Sequence, residues 1–324
     1  MTAMAVASSV FPDGSGRCRP TVPFRIRVNG GSRVSISISS FHPKPTPASQ
    51  ILPSPSGLRL VATDLDGTLL NGRGRLTSRT RRALRNIERL GIQHVIVTGR
   101  PVASCRPYFD TLGYCGLAVC GQGAQIYDAD RDRLLSHVGL DSATVRAAVE
   151  RLSHLVGTVD LAAVSSGIDG RFLVTPEFLR GDENQLAPFS EVSADRLWKL
   201  PIDKVLIRHR TLADRDLAAA ALRCCGFDLT AVHAGPDIVE LLPVGFDKAT
   251  GLASVVRSLG LSRRDVIAFG DMPNDIPMIS WAGYGVAMRN GHPDVKSAAD
   301  EIGPTNDEDG VAQILERILN EGEP

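Results

Sequence analysis

Two aspartates stand two residues apart in Asp64-Leu65-Asp66-Gly67-Thr68, directly after the apolar run Leu58-Arg59-Leu60-Val61-Ala62. Side chains alternate along a strand, so carboxylates spaced this way at a strand's end face the same side. Gly67 permits a sharp turn, and Thr68 offers a hydroxyl and a backbone N–H to an anion. This set suits a magnesium site at which one aspartate attacks a phosphoryl group and the other handles protons. A helix N-cap followed by a glycine turn would explain the same five residues, so the chemistry rests on partners further along.

Partners follow in order. The run His94-Val95-Ile96-Val97-Thr98-Gly99-Arg100-Pro101 reads as a second buried strand, ending in a hydroxyl, a glycine and a helix start at Pro101. Backbone N–H groups at such a strand-to-helix turn bind phosphate. In Asp247-Lys248-Ala249-Thr250-Gly251-Leu252 a lysine opens an amphipathic helix. Val266-Ile267-Ala268-Phe269-Gly270-Asp271 is a third buried strand, followed by Met272-Pro273-Asn274-Asp275.

These four motifs resemble the haloacid dehalogenase superfamily, specifically its Cof-type branch of small-metabolite phosphatases with a large α/β cap. The resemblance covers residues 58–320. It implies that Asp64 is the nucleophile, transiently phosphorylated, and that Asp66 protonates the leaving alkoxide and then deprotonates the hydrolytic water. The same chemistry is expected independently of an ionised aspartate beside a magnesium ion. Gly67, Thr98 and Gly99 would hold phosphoryl oxygens, and Lys248 would neutralise the charge between nucleophile and phosphate. The resemblance makes Mg²⁺ the cofactor, bound by Asp64, by Asp271 and by the backbone carbonyl of Asp66. Asp275 would act through a water or orient Lys248, and Asn274 would touch phosphate or a metal-bound water. Relatives often carry Asn-Gly-Ala where this chain has Gln122-Gly123-Ala124, so a substrate contact is altered there. Arg100 and Arg208 are the other candidate substrate contacts; a solvent-facing charge is the alternative for each.

The elements that must position these groups are legible as alternation. Strands at 58–64, 94–98 and 117–121 are separated by helices near 77–91 and 101–112, the pattern of a parallel sheet with helices on both faces. After Gly123 the character changes: paired strands at 125–128 and 134–138, a helix at 142–155, and strands near 159–164 and 171–175. A strand at 204–209, a helix at 211–224 and strands at 229–234 and 238–242 follow. From Asp247 the βα alternation resumes through strands at 266–270, 284–288 and 300–303 to a helix near 308–320. The expected fold is therefore α/β: a Rossmann-like parallel sheet core over 58–123 and 242–324, with an inserted α+β cap over 124–241. The insertion explains how Asp64 and Asp271, far apart in sequence, reach one crevice at the carboxyl ends of neighbouring strands.

Bulk properties narrow the partners. With 36 basic and 36 acidic residues the formal charge is zero, which implies no nucleic-acid or membrane field. No apolar run approaches the ~20 residues of a membrane span. The six cysteines lack Cys-x-x-Cys spacing and read as reduced, mostly buried thiols. Residues 1–57 are rich in Ser, Pro, Gly and Arg, with Asp13 their only acid. They read as a disordered extension on a cytoplasmic enzyme, or as a transit peptide with a plastid address, or as an upstream start. The expected partner is a small phosphorylated metabolite. A phosphomutase or phosphotransferase acting on a sugar phosphate would share the phospho-aspartate, and a phosphatase of a specialised aminosugar or antibiotic pathway is equally compatible.

Overall fold

A computed structural model describes residues 57–179, 189–235 and 237–320. The extension read over 1–57, with its Val34–Ser39 alternation, lies outside these residues apart from Gly57. In chain order come β1 Leu60–Thr63, α1 Ser78–Arg89, β2 Gln93–Val97, α2 Val102–Leu112, β3 Leu117–Cys120, β4 Gln125–Asp128 and β5 Arg133–His137. Next are α3 Ser142–Val156, β6 Asp160–Ser165, β7 Phe172–Val174, β8 Phe189–Glu191, α4 Ala194–Leu197, β9 Ile202–Arg208, α5 Asp214–Cys224, β10 Leu229–Gly235 and β11 Ile238–Pro243. The chain closes with α6 Lys248–Ser258, β12 Val266–Gly270, α7 Ile276–Trp281, β13 Tyr284–Met288, α8 Pro293–Ala298, β14 Glu301–Gly303 and α9 Gly310–Asn320.

Among the described residues the strands form two sheets. The core sheet has the order β14-β13-β12-β1-β2-β3-β4-β5, parallel from β14 to β3 and antiparallel beyond. The β4–β5 hairpin therefore extends the core sheet. That corrects the expected boundary after Gly123: β4 pairs with β3, Val119 opposite Ile126, and β5 with β4, so the chain stays in the core sheet to residue 137. At the far end the inserted sheet keeps β11 to Pro243.

Central strands are buried on both faces, which is why they read as continuous apolar runs. Val61 faces a cluster with Leu84, Ile87, Phe109 and Leu315 of α1, α2 and α9. Leu60 and Ala62 face Leu252, Val255 and Met278 of α6 and α7 on the opposite side. Each large apolar side chain buried this way contributes roughly 1.5–3 kcal/mol, enough to hold charged groups at the strand ends. The helices begin at polar caps: the Thr77 side chain accepts from the Thr80 N–H at α1, and Asp247 with Thr250 forms a capping box at α6.

The inserted sheet runs β10-β11-β9-β6-β7-β8. Its Val205 and Ile207 pack with α3 and α5, while Leu206 sits on the other face with Val164, Phe172 and Phe178. Trp198 and Trp281 are packing residues of the two domains, as expected. Cys105, Cys120, Cys224 and Cys225 are free and buried. Among the described residues no helix is long and apolar enough to cross a membrane.

Candidate active site

β1 is hydrogen-bonded to β12 on one side and β2 on the other, so the strand order reverses at its carboxyl end. A crevice opens at such a point. Asp64 stands there after β1, Thr98 and Gly99 after β2, and Asp271 after β12. The Lys248 ammonium, at the first position of α6, donates to Asp64 Oδ1 at 2.7 Å and to Asp275 Oδ1 at 2.6 Å. The second oxygen of Asp275 accepts from the N–H groups of Asp271 and Met272, at 3.0 and 2.9 Å. Both Asp275 oxygens are thus engaged in holding Lys248 and the 271–272 turn. The Thr68 hydroxyl donates to Asp271 Oδ1 at 2.9 Å. Gly67 has φ +73°, and a Cβ there would overlap the Asp271 carboxylate, so both conformation and space require glycine.

Oxygens of Asp64, Asp271 and Asp275 lie within 4.8 Å of one another. Burial pushes the Asp64 carboxyl well above its ordinary value, although Lys248 pulls it down and Asp275 and Asp271 add to the rise. Burial, with the Asp275 charge, pushes Asp271 up to about 7. Burial also works against the Lys248 ammonium, but the charges of Asp275 and Asp64 outweigh it and hold the group above its ordinary value. The site carries more negative charge than its one lysine offsets, and its donors are hard oxygens, which fits a divalent cation. A buried acceptor, Asn274 Oδ1, has no hydrogen-bond partner among the described residues, as expected of a group that meets a bound water or ligand.

Asp66 turns outward and is held by Arg100 through hydrogen bonds of 2.6 and 2.8 Å. The Thr98 hydroxyl accepts from the Arg100 N–H at 3.1 Å, which shapes the turn. A Cβ on Gly99 would press on the Gln122 amide and displace it.

A family model described as haloacid dehalogenase-like hydrolase matches residues 61–315. This chain belongs to that family. Within it, the hydrolase is a phosphatase of the Cof-type branch. It is 31% identical over 263 residues to the 5-amino-6-(5-phospho-D-ribitylamino)uracil phosphatase YcsE of Bacillus subtilis, covering 80% of this chain and 94% of that one. It is 29% identical over 274 residues to the pyridoxal phosphate phosphatase YbhA of Escherichia coli, covering 79% and 97%. A crystal structure of a haloacid dehalogenase-like hydrolase from Bacteroides thetaiotaomicron superimposes with a TM-score of 0.66 at 29% identity, over 81% of this chain and 99% of that one.

The hydrolase brings Asp64, Lys248, Asp271, Asp275, Thr68 and Gly67 into direct contact, and Asn274 joins them through the 271–275 turn. Gln122 enters as well: its amide oxygen accepts from Asn274 at 3.2 Å and its nitrogen donates to Glu240 at 3.0 Å. Arg208 takes a different place. Its guanidinium stacks 4.5 Å from the Phe178 ring centroid and donates to the Phe178 carbonyl at 3.1 Å, within the cap. Cap charges that reach the core include Lys204, Glu240 and Asp203, the last held by Gln125 at 2.8 Å and His137 at 2.9 Å; none was a candidate from sequence. For Glu240 the signal was a lone charge inside the otherwise apolar strand Ile238–Pro243, whereas Ile202–Arg208 carries three charges, Asp203, Lys204 and Arg208, all of them buried. Of the histidines, His94 is buried, hydrogen-bonded to Thr63 at 2.9 Å, and lowered to about 3 by burial, so it is a neutral packing residue.

Proposed function

We propose that the hydrolase cleaves the phosphate monoester of a small phosphorylated metabolite, of the sugar or sugar-alcohol phosphate class, with Mg²⁺ as cofactor. The observation that carries the reading is Lys248 bridging Asp64 and Asp275 beside Asp271. That arrangement sets a nucleophilic carboxylate, a cation to neutralise its charge and a second carboxylate for metal in one crevice. An Asp64 oxygen attacks phosphorus while the bond to the leaving oxygen breaks, and Asp66 delivers a proton to that oxygen. Asp66 then takes a proton from the water that attacks the acyl-phosphate, releasing inorganic phosphate and restoring Asp64. Lys248, the Thr98 hydroxyl and the N–H groups of Gly67 and Gly99 hold phosphoryl oxygens as charge develops. Mg²⁺, held by Asp64, Asp271 and the Asp66 carbonyl with Asp275 in support, would supply Lewis-acid charge to the phosphoryl oxygens. Asn274 Oδ1, buried and unpartnered, is placed to accept from a water there.

The relatives support a small phosphorylated metabolite: one acts on a phosphoribitylamino-uracil and another on pyridoxal phosphate. A phosphate-release screen of the full chain over a broad phosphometabolite panel with Mg²⁺ tests the reading. Preferred turnover of sugar or sugar-alcohol phosphates is expected; no release from any ester, p-nitrophenyl phosphate included, would overturn it.

A further inference from the structure

Lys204 and Glu240 are both buried in the cap, and a charged side chain seldom leaves water without a partner. Glu240 of β11 pairs with Leu206 of β9, so Lys204, two residues earlier on the same face, is its diagonal neighbour. The two side chains form an ion pair, and the Lys204 ammonium also donates to the Gly99 carbonyl at 2.9 Å. The other Glu240 oxygen accepts from Gln122, which in turn accepts from Asn274. One buried string of polar groups thus joins two cap strands to the core turns after β2, β3 and β12.

The ion pair itself lies within the cap sheet and needs no core partner. Its outer contacts, Lys204 to Gly99 and Glu240 to Gln122, exist only while the cap is seated. Gly99 belongs to the turn whose N–H and neighbouring Thr98 hydroxyl face the phosphoryl group in the proposed mechanism. The next residue, Arg100, holds Asp66.

We infer that Lys204 is a positioning residue: with Glu240 it clamps the 98–100 turn under the seated cap, so that the phosphoryl-binding groups and Asp66 reach their working places together. The inference rests on the phosphatase reading above. Lys204 acts through Gly99 and not on the phosphoryl group, so its loss should slow turnover without weakening substrate binding. A leaving-group contact would behave differently, with losses growing with substrate size.

The test uses the full chain with Lys204→Met, Lys204→Arg and the double variant Lys204→Met/Glu240→Gln, which leaves no uncompensated buried charge. Thermal melting establishes that the double variant is folded. On p-nitrophenyl phosphate, its kcat is expected to fall roughly tenfold or more, as misplaced catalytic geometry does, with KM changed less than about twofold. Lys204→Arg should recover part of the loss. Small-angle scattering of the ligand-free chain should give a larger radius of gyration for the double variant than for the parent. An unchanged kcat, a loss confined to KM, a loss that scales with substrate size, or identical scattering would each overturn the clamp. Failure of the parent chain to turn over any ester would overturn the phosphatase reading alone, and the scattering comparison would still decide whether Lys204 holds the cap.

Discussion

Arg100 grips Asp66 through two parallel hydrogen bonds, Nε to Oδ2 at 2.6 Å and Nη2 to Oδ1 at 2.8 Å. The guanidinium lies over the Tyr108 ring, 4.8 Å from its centroid. A fork of this kind fixes the plane of a carboxylate as well as its position. Arg100 therefore orients Asp66, the group to which the proposed mechanism gives proton transfer.

Asp66→Asn and Arg100→Leu should impair the same step. Each is expected to slow the first step on an alkyl phosphate by roughly 100-fold or more, and p-nitrophenyl phosphate much less, because its leaving group needs little protonation. The double variant should be about as slow as Asp66→Asn alone, since the two act as one unit. Rapid-quench measurement of the first step checks this; equal losses on both esters would remove Asp66 from the acid role.

Metal and pH are linked at Asp271. Its carboxyl rises from 3.8 to about 7 in the metal-free fold, so between those values the folded chain binds more protons than the unfolded one. The stability that Asp271 contributes to the metal-free protein should be lost as pH rises from about 4 to 7, so the parent should lose stability relative to Asp271→Asn over that range. Asp271→Asn should raise the metal-free Tm at pH 8, by roughly 5 °C, while abolishing activity. EDTA should abolish turnover of the parent and Mg²⁺ restore it, with Ca²⁺ inhibiting through its higher coordination number. Calorimetry and phosphate release measure these. Full turnover in chelated buffer, or a parental stability that does not fall relative to Asp271→Asn between about pH 4 and 7, would contradict the account.

Gly67→Ala should be costly on two grounds: φ of +73° disfavours a side chain, and the new methyl would meet the Asp271 carboxylate. We expect a loss of about 1–3 kcal/mol in stability and a rise in the Mg²⁺ concentration needed for half-maximal activity. Urea unfolding and a metal titration read both; an unchanged metal requirement would show that Asp271 can move without consequence.

Three of the core motifs were legible because each is a short apolar strand ending in a polar residue, a pattern that burial on both faces imposes, and the fourth because Lys248 opens an amphipathic helix. Asp64, Thr98, Lys248 and Asp271 could be placed from that pattern and from the family resemblance it carries. The β4–β5 hairpin was assigned to the cap because an antiparallel pair following a parallel run looks like a new domain; only the register of Val119 with Ile126 shows that it continues the core sheet. Arg208 and Lys204 share one face of β9, and alternation alone cannot say which end of the strand meets the core. Phe178, whose ring accepts the Arg208 guanidinium, comes from a segment some thirty residues earlier in the chain, so that packing was invisible in the local pattern. The pairing of Lys204 with Glu240 depends equally on strand order in the cap, which no local spacing encodes.

The central claim is that Asp64 becomes covalently phosphorylated during turnover. Acid quench of the chain during reaction with radiolabelled p-nitrophenyl phosphate, followed by peptide mapping, measures this directly. The account predicts a base-labile label on the peptide that contains Asp64, enhanced in Asp66→Asn, and neither label nor phosphate release in a folded Asp64→Asn variant. Near-parental phosphate release by Asp64→Asn, or a label carried at another residue, would contradict it.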